Sequence, residues 1–552
     1  MAFLQWLFTC AGQHSWYSRL AALSARLRQR RSVPLVLATA AVLCGPAIAE
    51  GPSHFFVVHV VDDSTGRGVP LVELCTTSEV CYWTDSNGVA AVNEPEFNGK
   101  QVFFSVASDG YEFRQKIFDD VGTTLKVQPG GQATLTLKRV NLAERLYRVT
   151  GEGIYRDSVL AGLPVPEGGD DLRGQATGMD TVMFTTYHGK LFWLFGDTSR
   201  LSAPLGNFSS TCAQSELGSS APSPEQALDL DFYTVQDGFV KPMVDIPGPG
   251  PKWMGALMAV RGSSGQEEMY ARYDRVNGLV SVYDSGIAVF DDATSTFRAV
   301  KSTGPSPKYF ASGRATPVMA DNQRYFYFSS LDTVTPSVRV RALAADILDP
   351  AKYEYFKCDR EACKWKTGTV PTAPLFFDID TGSPVNGKVL SLAWNKFRQR
   401  WIATISAALG EVWYAEADTP EGPWSYARRI IIHTHSTFYW PGQIWPLDTQ
   451  GGRRIYIMGT YTQTFNKNPE KTPRYEYNQL LYGLSLDAPG LAMPTVRYQV
   501  RGLAGLFTGD QLSAMHLWPK VDHVVDFIDS HGHIMPNHNS PFMFDRDAGP
   551  VT

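Results

Sequence analysis

Short apolar and β-branched runs, alternating with polar turns, recur through most of the chain, and sustained helical periodicity is missing. Between residues 54 and 140 the runs FFVVHVVD, VPLVELCT, VCYWTD, KQVFFSVAS and ATLTLKRV are split by turn clusters such as Asp85-Ser86-Asn87-Gly88. That pattern predicts a small β-sandwich. Residues 141–173 read as a connector that opens with a short helix and closes in a Pro/Gly/Asp loop. From 174 to 500, five unequal units of strand, turn, strand and aromatic tail follow one another at roughly 40–70 residues each, the spacing of propeller blades. The predicted fold is all-β, a small β-sandwich followed by a five-bladed β-propeller, with a tail (501–552) packed on it.

The first unit, Gly174 to Asn207, concentrates the chemistry. TVMFTTY and LFWLF are two extended runs joined at His188-Gly189-Lys190, a hairpin. Asp180 precedes the first run and Asp197 follows the second, so the register brings two carboxylates to one rim of the sheet. Like charges held together raise one pKa, leaving one acid protonated beside an ionised neighbour. Aspartates in such turns also serve as plain backbone acceptors.

Composition narrows the setting. The 552 residues are 43% hydrophobic, 12% aromatic and only 19% charged, with net charge −5, which offers nucleic acid or an anionic membrane no electrostatic footing. A basic block (Arg26, Arg28, Arg30, Arg31), the apolar run Val33 to Leu43 and the small-residue site Ala47-Ile48-Ala49 read as a signal peptide over 1–49. The apolar run is too short to span a bilayer. A secreted or periplasmic protein is expected, where Cys75 would pair with Cys81 and Cys358 with Cys363 across short loops, leaving Cys212 buried. No cofactor or metal motif emerges: the tail histidines His516, His523, His531, His533 and His538 match no standard ligand spacing. His433 and His435 leave open a structural cation in the propeller channel.

Gly178-Met179-Asp180 and Trp193-Leu194-Phe195-Gly196-Asp197-Thr198 resemble the opening blade of arabinanase-like five-bladed propeller glycosidases. The run Val412 to Trp424 (VWYAEADTPEGPW) resembles a blade turn of the same enzymes, which makes Glu411, Glu416 and Glu421 scaffold. Thr84-Asp85-Ser86-Asn87-Gly88, with its flanking strands, resembles carboxypeptidase-regulatory, transthyretin-like modules. The resemblance implies a glycoside hydrolase acting on a polysaccharide through paired carboxylates at the propeller mouth. Asp180 would be base or nucleophile and Asp197 its partner. Glu216, Glu267 and Glu268 are the options for a further acid, each weighed against a solvated surface role. Trp193, Arg314, His435, Tyr439, Trp440, Gln443, Arg474 and Asn478 are the sugar-binding candidates, each set against a packing role. The alternative is a propeller that binds carbohydrate, or acts as a scaffold, without turnover.

Overall fold

Two sheets face each other over the first eighty or so residues of the computed structural model. The model describes residues 54–493, apart from 170, 208, 263–264, 279–280, 306–309, 330–336, 359–362, 370, 372, 375, 423, 425 and 464–469, together with strands 495–500 and 523–528. The leader (1–49) and nearly all the histidine-rich tail lie outside the described residues. One sheet orders Val89–Val92, Phe56–Asp62, Gln132–Arg139 and Tyr111–Glu112. The other orders Cys81–Trp83, Glu73–Thr76, Gln101–Ala107, Asp120–Lys126 and Lys116–Ile117. Alternation points Val58, Val60, Leu74, Phe104 and Leu135 into a shared core. Cys75 and Cys81 stand opposite each other on paired strands and are bonded, as are Cys358 and Cys363 further along.

Five sheets then follow one another as the blades of a β-propeller, their inner strands touching in sequence. Those inner strands are Val182–Tyr187, Lys252–Arg261, Arg314–Ala320, Lys388–Asn395 and Thr437–Gln443. The first blade is built on the hairpin of Val182–Tyr187 with Lys190–Phe195, whose turn residues His188 (φ 48) and Gly189 (φ 76) are both left-handed, matching the twist of the strands they join.

The ring closes through the connector. Glu144–Arg148 is a fully buried strand, not the start of a helix, and it pairs antiparallel with Asn478–Ser485 as the outermost strand of the fifth blade. Its sequence, ERLYR, carries good helix formers, but pairing with the C-terminal strand outweighs that preference. The helix of this segment is Arg156–Leu160.

A buried seam fastens the sandwich to this blade. The Asp109 carboxylate accepts from the backbone N–H groups of Thr434 (2.7 Å) and His435 (2.9 Å) and from the Ser436 hydroxyl. The Arg145 Nη2 reaches the Asp109 carbonyl at 2.9 Å, and Tyr475 donates to the Thr84 carbonyl at 2.6 Å. Burial opposes charge on Asp109, but His433, these hydrogen bonds and Arg145 together hold its carboxyl well below the usual range.

Candidate active site

The hairpin register fixes the geometry. Val182 stands opposite Phe195, so two residues further out Asp180 stands opposite Asp197. Backbone bonds continue to that rung: Asp180 N–H donates to the Asp197 carbonyl (3.2 Å) and Gly196 N–H to the Asp180 carbonyl (3.0 Å). Glycine at 196 is required, because a Cβ there would lie 2.1 Å from Asp180 Oδ1. Thr181, between pair and strand, has φ 40, an uncommon conformation for a β-branched residue.

Blade five holds Asp180 from both sides. Gln479 Nε2 donates to the Met179 carbonyl (3.0 Å) and to Thr460 Oγ1 (2.8 Å), and that hydroxyl oxygen accepts the Thr181 N–H at 3.1 Å. Tyr477, with φ 62, receives the Met179 N–H on its carbonyl at 2.7 Å, while its phenol hydrogen-bonds the Asp180 carboxyl. From blade two, Trp253 Nε1 donates to Asp197 Oδ1 at 3.2 Å.

Three titrating groups stand together here. Burial, then the charge of Asp197, push Asp180 up to about 7, against hydrogen bonds that lower it. Burial also lifts Asp197, to about 6, with Trp253 opposing. Tyr477 is driven upward by burial and by the charges of both aspartates. Both aspartates are half-buried. Both carboxyls are therefore raised toward neutrality, where their titrations overlap. Half-buried Trp253, Tyr439 and Tyr477 put aromatic side chains beside the pair.

Several residues singled out from the sequence stand elsewhere. Glu216 ion-pairs with Lys190 at 2.7 Å, at the hairpin end roughly 20 Å from the aspartates by strand rise. Glu267 accepts the His188 N–H at that same end, and Glu268 accepts from the Tyr270 hydroxyl. Trp193 is fully buried in the first blade, its indole on Ser215. Arg314 and Trp440 are buried together in the channel. Gln443 is buried against Asp448, and Asn478 stitches the closing strand to the Thr177 carbonyl and the Thr150 hydroxyl. His435 sits on the sandwich seam beside Asp109, with its neighbour His433 buried between Ser436 and the Tyr482 hydroxyl. Arg474 faces Glu152 at 4.0 Å on the surface. Of the sugar-binding candidates only Tyr439 remains near the pair, where it adds to the electrostatics of Tyr477.

No family profile matches the chain, and no curated protein matches it. Solved structures of similar path include a GH43 enzyme from Xanthomonas citri complexed with xylose, at 12% identity over 57% of this chain and 89% of that one, TM-score 0.31. Another is a GH43 β-xylosidase/α-arabinofuranosidase from a compost metagenome in complex with xylotriose, at 12% identity over 56% and 92%, TM-score 0.31. A third is a GH43 β-1,3-galactosidase with galactodeoxynojirimycin, at 10% identity over 55% and 90%, TM-score 0.33. Likenesses this distant leave the functional argument to the chain's own side chains.

Proposed function

We propose that the protein is a glycoside hydrolase of exported location that cleaves a polysaccharide at the propeller mouth. The observation that carries this reading is the pair Asp180–Asp197, which near neutral pH offers one protonated and one ionised carboxyl side by side. Glycosidic cleavage asks for that combination: an acid to protonate the leaving oxygen, and a carboxylate to activate water or attack the anomeric carbon. Burial and the Asp197 charge favour the proton on Asp180, so Asp180 takes the acid role in the resting state and Asp197 the base or nucleophile. This reverses the order implied by family resemblance. Tyr477, donating to Asp180, steadies the carboxyl that gives up its proton, and Trp253 orients its partner. The aromatic side chains beside the pair suit the apolar faces of sugar rings.

The experiment is a hydrolysis screen over plant, algal and bacterial polysaccharides with the parent protein, Asp180→Asn and Asp197→Asn. Release of reducing ends by the parent and its loss in both variants supports the reading; equal release by either variant contradicts it. A second reading, carbohydrate binding without turnover, is favoured by the engagement of Glu216, Glu267 and Glu268 far from the pair. It predicts glycan retention on an affinity gel with no reducing ends released by the parent protein.

A further inference from the structure

Arg314 opens the inner strand of the third blade, and its side chain crosses the channel. Nη1 donates to the Leu390 carbonyl of blade four at 2.9 Å. Nη2 donates to the Val182 carbonyl of blade one and the Trp440 carbonyl of blade five, each at 2.8 Å. The preceding residue completes the set, since Ala256 N–H of blade two donates to the Gly313 carbonyl at 2.6 Å. All five blades meet at two consecutive residues.

Two of the three acceptors are not ordinary ladder carbonyls; Val182 pairs in regular register with Phe195. Register shifts fall between Val389 and Ser391 and between Tyr439 and Gly442, so Leu390 and Trp440 sit at bulges where a residue drops out of strand pairing. Trp440 has φ 50, and its ring lies 5.7 Å from the guanidinium carbon. Space is reserved as well: a Cβ on Gly442 would come within 2.6 Å of Arg314 Nη1. Arg314 is 2% exposed, and no carboxylate among the described residues pairs with it. Burial alone pulls it down to about 9. A buried charge ordinarily needs an opposite charge or full hydrogen bonding.

We propose that the centre of the ring is a cation site built from main-chain oxygens of three blades and filled by the protein's own guanidinium. Bulged strands turn their carbonyl dipoles inward, and Arg314 gathers them, fixing the inner strands against one another. A planar, forked cation matches this site, since its two Nη groups donate separately to oxygens on three blades. The site is independent of whether the aspartate pair hydrolyses sugars.

Vacating it gives the test. Arg314→Ala is expected to lower the melting temperature by more than about 5 °C. About 10 mM guanidinium chloride should then restore at least half of that loss by binding the folded state, while equal sodium chloride does not and the parent gains nothing. An unchanged melting temperature, or an equal response to both salts, would overturn the proposal. Should Arg314→Ala fail to fold, Gly442→Ala asks the question from the facing strand. Its Cβ intrudes on the fork, so it should lower the melting temperature of the parent at least twice as much as that of Arg314→Lys; equal losses in both backgrounds would also overturn the proposal.

Discussion

Two aspartates, buried Asp109 on the sandwich seam and half-buried Asp180 at the propeller mouth, meet opposite fates in one molecule. Both lose hydration, which alone would raise their pKa values. Asp109 is surrounded by donors, two backbone N–H groups and the Ser436 hydroxyl, with the Arg145 cation beside it and His433, itself lowered to about 4 by burial, packed nearby. Its charge is stabilised, and it works as glue. Asp180 also accepts hydrogen bonds, from Tyr477, the Asp197 N–H and Thr181, but burial and the facing Asp197 charge outweigh them and hold its proton on up to about pH 7. Burial does not decide whether a carboxyl is structural or reactive; the count and sign of its neighbours do.

The comparison can be broken at either end. The largest expected effect is on turnover: Asp180→Asn should cut hydrolysis by about 10³-fold or more, measured as initial rate on whichever polysaccharide the parent cleaves. Asp109→Ala strands three donors in the seam and should cost ~3 kcal/mol of unfolding free energy, read by denaturant titration, with hydrolysis per folded molecule retained. Acid should also separate the two. The depressed Asp109 contributes stability above about pH 4 that is lost as pH falls. Asp180, raised to about 7, contributes stability that is whole below about pH 4 and lost as pH rises through 7. Asp180→Asn, which cannot ionise, should therefore stabilise the protein at pH 8 by ~2 kcal/mol and leave it unchanged at pH 4.

Finer changes sharpen the picture. Thr460→Val removes the oxygen that receives the Thr181 N–H and Gln479 Nε2. It should lower kcat by about tenfold at unchanged KM, with Thr460→Ser restoring the rate. Glu216→Gln breaks an exposed ion pair with Lys190 and should change neither stability nor turnover measurably.

How far the sequence alone carried is clear from particular residues. The hairpin from 182 to 195 was legible because both strands are nearly all apolar and a His-Gly turn joins them, and its register brought Asp180 to Asp197. The two disulfides followed from short Cys spacings. Glu216, ion-paired with Lys190 at the far end of the hairpin, stands where the solvated surface role weighed against it would put it. Arg314 starts an inner strand as read, yet its side chain reaches into the channel instead of out toward substrate. Trp253, Thr460 and Tyr477 were harder still, since two other blades, the second and the fifth, bring them to the pair. One signal was present for Trp253: a tryptophan opening the second unit, at the place where the first unit carries its aspartate. Glu144–Arg148 was hidden for the same reason, its partner strand lying at the far end of the ring.

The central claim is that Asp180 and Asp197 are both raised toward neutrality. Infrared difference spectra between acidic and alkaline solution, taken for the parent and for Asp180→Asn and Asp197→Asn, test it directly. Beside the bands of other raised carboxyls such as Asp157 and Asp448, which all three proteins share, the account predicts a component that disappears with a midpoint of about 7 in the parent, is missing from Asp180→Asn, and moves to lower pH in Asp197→Asn. A parent protein whose aspartates have all ionised by about pH 5 would contradict it.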